Sequence, residues 1–144
     1  MNLESYSYLT NASYFDYQFE SEGFKGTIVK IARFSAIGTN TYNFGFGDLN
    51  RVTGDISDTV ISNNGDGDKI LATVAKIIFD FTAKYPEALI FIKGSTVTRT
   101  RWYQMGINRH WGEIEKTFDV QDYCNNHWER FQKGINYEAF LGRR

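Results

Sequence analysis

Between Lys69 and Phe81 the apolar residues Ile70, Leu71, Val74, Ile77, Ile78 and Phe81 recur at spacings of three and four, with Lys69, Lys76, Asp80 and Lys84 on the other side. That period belongs to a helix with one apolar stripe. The turn-forming run of residues 62 to 68, SNNGDGD, precedes it, and Asp66 or Asp68 is placed to cap its first turn and oppose the positive dipole end. Pro86, the only proline, ends it just after Tyr85. A helix over residues 68 to 85 has to bury its stripe against another layer.

The flanking sequence supplies that layer as strands. Phe15, Tyr17 and Phe19 alternate with polar neighbours from Tyr14 to Glu20, a period of two rich in aromatics, and residues 21 to 23 (SEG) read as the following turn. A second strand is expected over residues 24 to 34 and a third over residues 41 to 46, where Tyr42, Phe44 and Phe46 share a face. Val60 and Ile61 suggest a short fourth. Eleven of the 24 aromatic residues fall in the first 50, which favours an antiparallel meander with one aromatic face. After the helix, residues 88 to 92 (ALIFI) read as a buried strand and residues 97 to 110 as a second helix. Residues 113 to 120 alternate like a half-exposed strand, residues 137 to 141 read as a last strand, and residues 124 to 136 carry no clear period. With 144 residues and no linker, low-complexity tract or repeat, the expectation is one α+β domain over residues 1 to 144. Its antiparallel, aromatic-rich sheet carries two main helices, in the order strands, helix, strand, helix, strands.

Several classes drop out. Apolar residues at 42% and aromatics at 17% are too many for a disordered chain. No run approaches the ~18 apolar residues of a membrane span and the opening MNLESYSYLT lacks the pattern of a signal peptide, so a cytoplasmic protein without membrane contact is expected. Cys124 alone cannot form an internal disulfide, and with only His110 and His127 no structural-zinc spacing exists. SNNGDGD matches a calcium loop in part, but its twelfth position is Thr73 where a bidentate Glu is required. No metal and no cofactor is expected.

The segment from Lys93 to Tyr103 carries the candidate chemistry. It lies where a strand gives way to a helix, so unpaired N–H groups, the hydroxyls of Ser95, Thr96 and Thr98, and the positive dipole end gather there. From Lys93 to Trp111 the charges are Lys93, Arg99, Arg101 and Arg109 with no Asp or Glu, and Arg forks suit phosphate or carboxylate oxygens. Trp102 and Tyr103 add flat faces for a base. The candidate ligand-binding set is therefore Lys93, Ser95, Thr96, Arg99, Arg101 and Tyr103. The spacing is not that of a nucleotide P-loop. A structural alternative has Ser95 or Thr96 as a helix cap and the arginines paired with acids of the first half, where residues 1 to 68 carry four Lys/Arg against nine Asp/Glu.

These residues also carry a resemblance. Residues 61 to 66 (ISNNGD) and 69 to 74 (KILATV), then Lys93-Gly94-Ser95-Thr96, Arg99-Thr100-Arg101 and Tyr103-Gln104-Met105, with a closing Tyr137-Glu138-Ala139-Phe140-Leu141, resemble a family of small uncharacterised bacterial proteins, mostly from Bacteroidota. Its mark is the string KGST-x-x-RTR-x-YQM. The resemblance implies a domain of unknown function and no catalytic residue.

Three functions stay open. The first is a non-enzymatic accessory domain that binds a protein partner, motivated by an aromatic core, near-neutral charge and the lack of a complete catalytic constellation. The second is a phosphate or nucleic-acid binding module using the Lys93 to Arg101 segment. The third is a small hydrolase or nuclease with His110 moving protons, and it is expected least, because His110 lies roughly 13 Å beyond Arg101 along one helix. Oligomeric state is not readable.

Overall fold

The computed structural model describes residues 4–57 and 63–144. Eight strands form one sheet: β1 (Leu9–Thr10), β2 (Asp16–Gly23), β3 (Gly26–Gly38), β4 (Thr41–Asp48), β5 (Leu89–Ile92), β6 (Asp119–Cys124), β7 (His127–Arg130) and β8 (Ala139–Arg143). Three helices, α1 (Gly67–Lys84), α2 (Val97–Arg109) and α3 (Trp111–Thr117), join them. Strand order is β1-β2-β3-β4-β5-β8-β6-β7. All neighbours are antiparallel except β4 and β5, which run parallel because α1 crosses between them. This is the expected α+β class.

The helices cover one face. Register places Tyr17 opposite Ala32, Phe19 opposite Lys30 and Phe34 opposite Phe44, so these side chains form one layer with Phe46, Ile90 and Phe140. From α1, Val74, Ile77 and Phe81 are buried on that layer, Leu71 is buried beside Gly106 of α2, and the Phe81 ring stacks on Phe34 at 3.8 Å between centroids. On the other face, residues 49 to 57 fold back beneath the sheet, where Ile56 bridges Leu49 and Ile31 is shielded from solvent.

Several expectations are corrected. The SEG of residues 21 to 23 is the end of β2, and the chain turns at Phe24 and Lys25. Ser21 stays in the sheet because it is buried on the helix side, and Asn64 ties the hairpin down: Lys25 N–H donates to its Oδ1 at 2.7 Å and its Nδ2 donates to Gly26 O at 2.8 Å. Asp66 sits at the N-cap position of α1 but makes no side-chain cap; its Oδ2 accepts instead from Tyr6 Oη at 2.5 Å and Ser21 Oγ at 2.6 Å. Residues 111 to 117 are helical, not strand. Trp111, Ile114 and Phe118, spaced by three and four, pack against the core, and that period overrides the alternation. In the stretch without a clear period, Asn125 and Asn126 adopt φ of 49° and 65° and make the two-residue turn of the β6–β7 hairpin. The short strand expected at Val60 and Ile61 lies outside the described residues.

Candidate functional site

At the end of β5 the chain turns so tightly that position 94 has no room for a side chain. A Cβ on Gly94 would lie 2.4 Å from the Thr100 backbone nitrogen. Gly94 N–H instead donates to Thr100 Oγ1 at 3.0 Å, which folds the turn onto the first turn of α2. Thr96 caps that helix, its Oγ1 accepting from Arg99 N–H at 3.1 Å. Arg99 Nη1 donates to Ser95 Oγ at 2.6 Å, which draws the guanidinium back over the helix start.

This turn forms one wall of a cleft of about 480 Å³, with Thr96, Thr98, Arg99 and Trp102 exposed to it. The facing wall is the start of α1: Asn63, Asn64, Asp66 and Gly67. Two segments about thirty residues apart, residues 63 to 67 and residues 96 to 102, thus face one another, and two helix N-termini open on one space. The floor is Phe46 and Lys30, whose side chain is fully buried and ion-paired with Asp48. Trp102 lies over Phe46 at 6.0 Å and 26°, the last ring of a row that runs Tyr6, Phe19, Phe46, Trp102. Among the described residues one acidic group enters the cleft, Asp66. Its Oδ2 is taken by the Tyr6 and Ser21 hydroxyls, and the adjoining α1 N-terminus opposes its charge.

The candidate residues divide. Thr96 and Arg99 line the cleft, and Ser95 reaches it through Arg99. Lys93 is exposed on the turn outside the lining. Arg101 is exposed on the outer side of α2, and among the described residues neither Arg99 nor Arg101 pairs with a carboxylate. Tyr103 is buried against Phe44, where desolvation pushes its hydroxyl pKa upward and keeps it neutral. Sequence reasoning missed Lys30, Phe46 and the inward half of the SNNGDGD run. A signal existed for Lys30: it shares the alternation of Ala32 and Phe34 in an otherwise apolar segment, which marks a charge facing the core.

Two other polar features lie apart from the cleft. His110, between α2 and α3, borders an apolar cavity under the helices. Across the β6–β7 hairpin, Asp122 stands opposite Glu129 and is fully buried, both of its oxygens lacking a partner among the described residues. Burial, then the charge of Glu129, pushes its pKa up to about 7. The Cys124 thiol donates to Glu129 Oε1 at 2.9 Å; that bond, with burial, raises it to about 11, so it is held as a thiol and is a poor nucleophile.

Among the described residues no group of His, Cys, Asp and Glu is arranged to hold a metal ion, and no helix is long and apolar enough to cross a membrane. A family model, described as a family of unknown function (DUF6934), matches residues 2–144. No curated protein and no solved structure matches the chain.

Proposed function

The chain belongs to the DUF6934 family, whose function is unknown, and from that premise we propose that it is a non-enzymatic binding module whose α1/α2 cleft takes a phosphate-bearing ligand with a flat ring. The observation that carries this reading is the convergence of Arg99, the Thr96 and Thr98 hydroxyls and the face of Trp102 between two helix N-termini. Fork and dipole ends suit phosphate oxygens, and the indole suits a base. Binding without turnover fits the same geometry, because the two groups most suited to proton transfer, His110 and Asp122, lie elsewhere.

The test is a fluorescence titration with mononucleotides and with short single-stranded oligonucleotides, which separates the two sizes of this chemistry. Arg99→Ala and Trp102→Leu are expected to weaken binding by about tenfold each, while Arg101→Ala, outside the cleft, changes it less than about twofold for a mononucleotide. Equal losses at Arg99 and Arg101 would mean a diffuse basic surface, and no binding by the wild type sinks the proposal. A second reading, docking of a protein partner, is favoured by the outer stripe of α2, where Val97 and Met105 are 70% and 53% exposed on either side of Arg101. Loss of a partner in Met105→Glu with the cleft's ligand still bound would support it.

A further inference from the structure

Along β5, β8 and β6, Ile90, Ile92, Phe140 and Val120 face the helices, so alternation turns Phe91, Leu141, Gln121 and Tyr123 to the opposite side of the sheet. Register extends that side to the edge: Gln121 lies opposite Arg130, and Tyr123 lies opposite both Ala139 and Trp128. Three rings meet there. Phe91 and Tyr123 approach Trp128 in T-shaped contacts, at 6.3 Å and 5.3 Å between centroids, and the indole so fixed is still 43% exposed. Charge on this side is uneven. Around the rings stand Arg130, Arg143 and, two residues on from Phe91 at the end of β5, Lys93; all are exposed, and none pairs with a carboxylate among the described residues. One carboxylate shares these strands' outer side, Asp119 opposite Arg143. Toward the other edge of the sheet the same side carries Glu20 and Glu22 of β2.

We propose that the β5–β8–β6–β7 face binds single-stranded nucleic acid, with a base on Trp128 and backbone phosphates on Lys93, Arg130 and Arg143. Shielding of Ala139 and Leu141 accounts for apolar side chains here, but not for three cations without acid partners around them. Phosphate oxygens match arginine forks, and an indole already held by two neighbouring rings gives a base its stacking surface. A duplex suits the face less, since its bases stay stacked on one another and offer the indole no free ring. Glu20 and Glu22 repel phosphate, which confines the strand to the half of the sheet that carries the rings. The face shares no residue with the α1/α2 cleft and does not depend on what the cleft binds.

The experiment follows the fluorescence anisotropy of a labelled oligothymidylate of about ten nucleotides at several salt concentrations. Trp128→Leu keeps an apolar cover and removes the flat ring, and it is expected to weaken binding by about tenfold, the worth of one stacked base. Lys93→Ala and Arg143→Ala should each lower the slope of log Kd against log salt by about 0.7, one phosphate contact of a single strand. Should Trp128→Leu not fold, these two exposed positions decide. Losses confined to Arg99→Ala and Trp102→Leu would leave the cleft reading standing and overturn this one. No binding of the oligomer, unchanged affinity in folded Trp128→Leu, unchanged slopes in both cation variants, or a concentration-dependent dimer that buries Trp128 would also overturn it.

Discussion

Asp122 is the residue whose placement costs the fold most visibly. It projects from β6 into the layer beneath the helices beside Phe140, and Glu129 across the hairpin adds a like charge in place of a partner. Its carboxyl titrates near 7 in the folded chain and near the ordinary carboxylate value when unfolded. The folded state therefore keeps a proton that the unfolded chain has already released, so this carboxyl's contribution to stability is greatest below pH ~4, falls as pH rises toward 7, and levels above it. Asp122→Asn should melt higher than wild type at pH 8 and lose most of this decline; matched melts at pH 5 and pH 8 check it, and an identical slope in the variant would show that the carboxyl is solvated. Lys30 shows the other solution to a buried charge. It is as deep as Asp122 but carries its counter-ion, Asp48, from the neighbouring strand. Alternation exposes Lys30 to a reader of the sequence. Asp122 is hidden from one, because Val120, Asp122 and Cys124 become an inward set only once residues 111 to 117 are known to be helical.

Helix α1 is held by its stripe and by side-chain ties along its flank, Tyr6 N–H donating to Thr73 Oγ1 at 2.8 Å and Arg144 Nε donating to Thr82 Oγ1 at 2.8 Å, more than by its ends. Asp66 makes no cap, Tyr85 closes the other end by its backbone alone, and the exposed side contributes pairs such as Asp68 with Arg109 that lie in solvent. Leu71→Ala and Val74→Ala are each expected to cost about 2 to 4 kcal/mol in urea unfolding, since both side chains are buried against the sheet or α2. Neutral outcomes at both would mean the helix faces another way. This element was the most legible in the sequence, because its period of 3.6 and its stop at Pro86 are local. The third helix was not. Glu113 to Lys116 alternates and also fits a helix turn, and the choice is made by distant partners: Trp111 rests on Phe131 at 4.5 Å, and Phe118 meets Phe79 edge-on at 5.0 Å. The candidate site was half legible for the same reason. Gly94, Thr96 and Arg99 announce a helix start in the sequence, but that Asn63, Asn64, Asp66 and Gly67 form the opposite wall depends on how α1 crosses the sheet.

At the scale of the molecule, the sheet order is what no local pattern could tell. The last strand in the chain, β8, enters between β5 and β6, so residues 139 to 143 lie beside both the mid-chain strand and the β6–β7 hairpin. β5 is already paired with β4, but the β6–β7 hairpin joins the sheet only through that final insertion, so the pairing is closed only when residues 139 to 143 are in place. The row of rings from Tyr6 through Phe19 and Phe46 to Trp102 likewise joins the N-terminal segment, two strands and α2, with interplanar angles between 16° and 26°. Rings held nearly parallel at 5.6 to 6.0 Å fix one another's orientation. The two ends of the row, Tyr6 beside Asp66 and Trp102 at the cleft wall, are thereby held in fixed, asymmetric surroundings. Near-ultraviolet circular dichroism of the indole band should then weaken in Phe46→Leu, which removes the ring that Trp102 lies on, while the far-ultraviolet spectrum stays unchanged; an unaltered indole band would show that Trp102 is not held by this row. A flat ligand laid on Trp102 would lengthen the row by one ring, so the indole's own emission would report what enters the cleft without an attached dye.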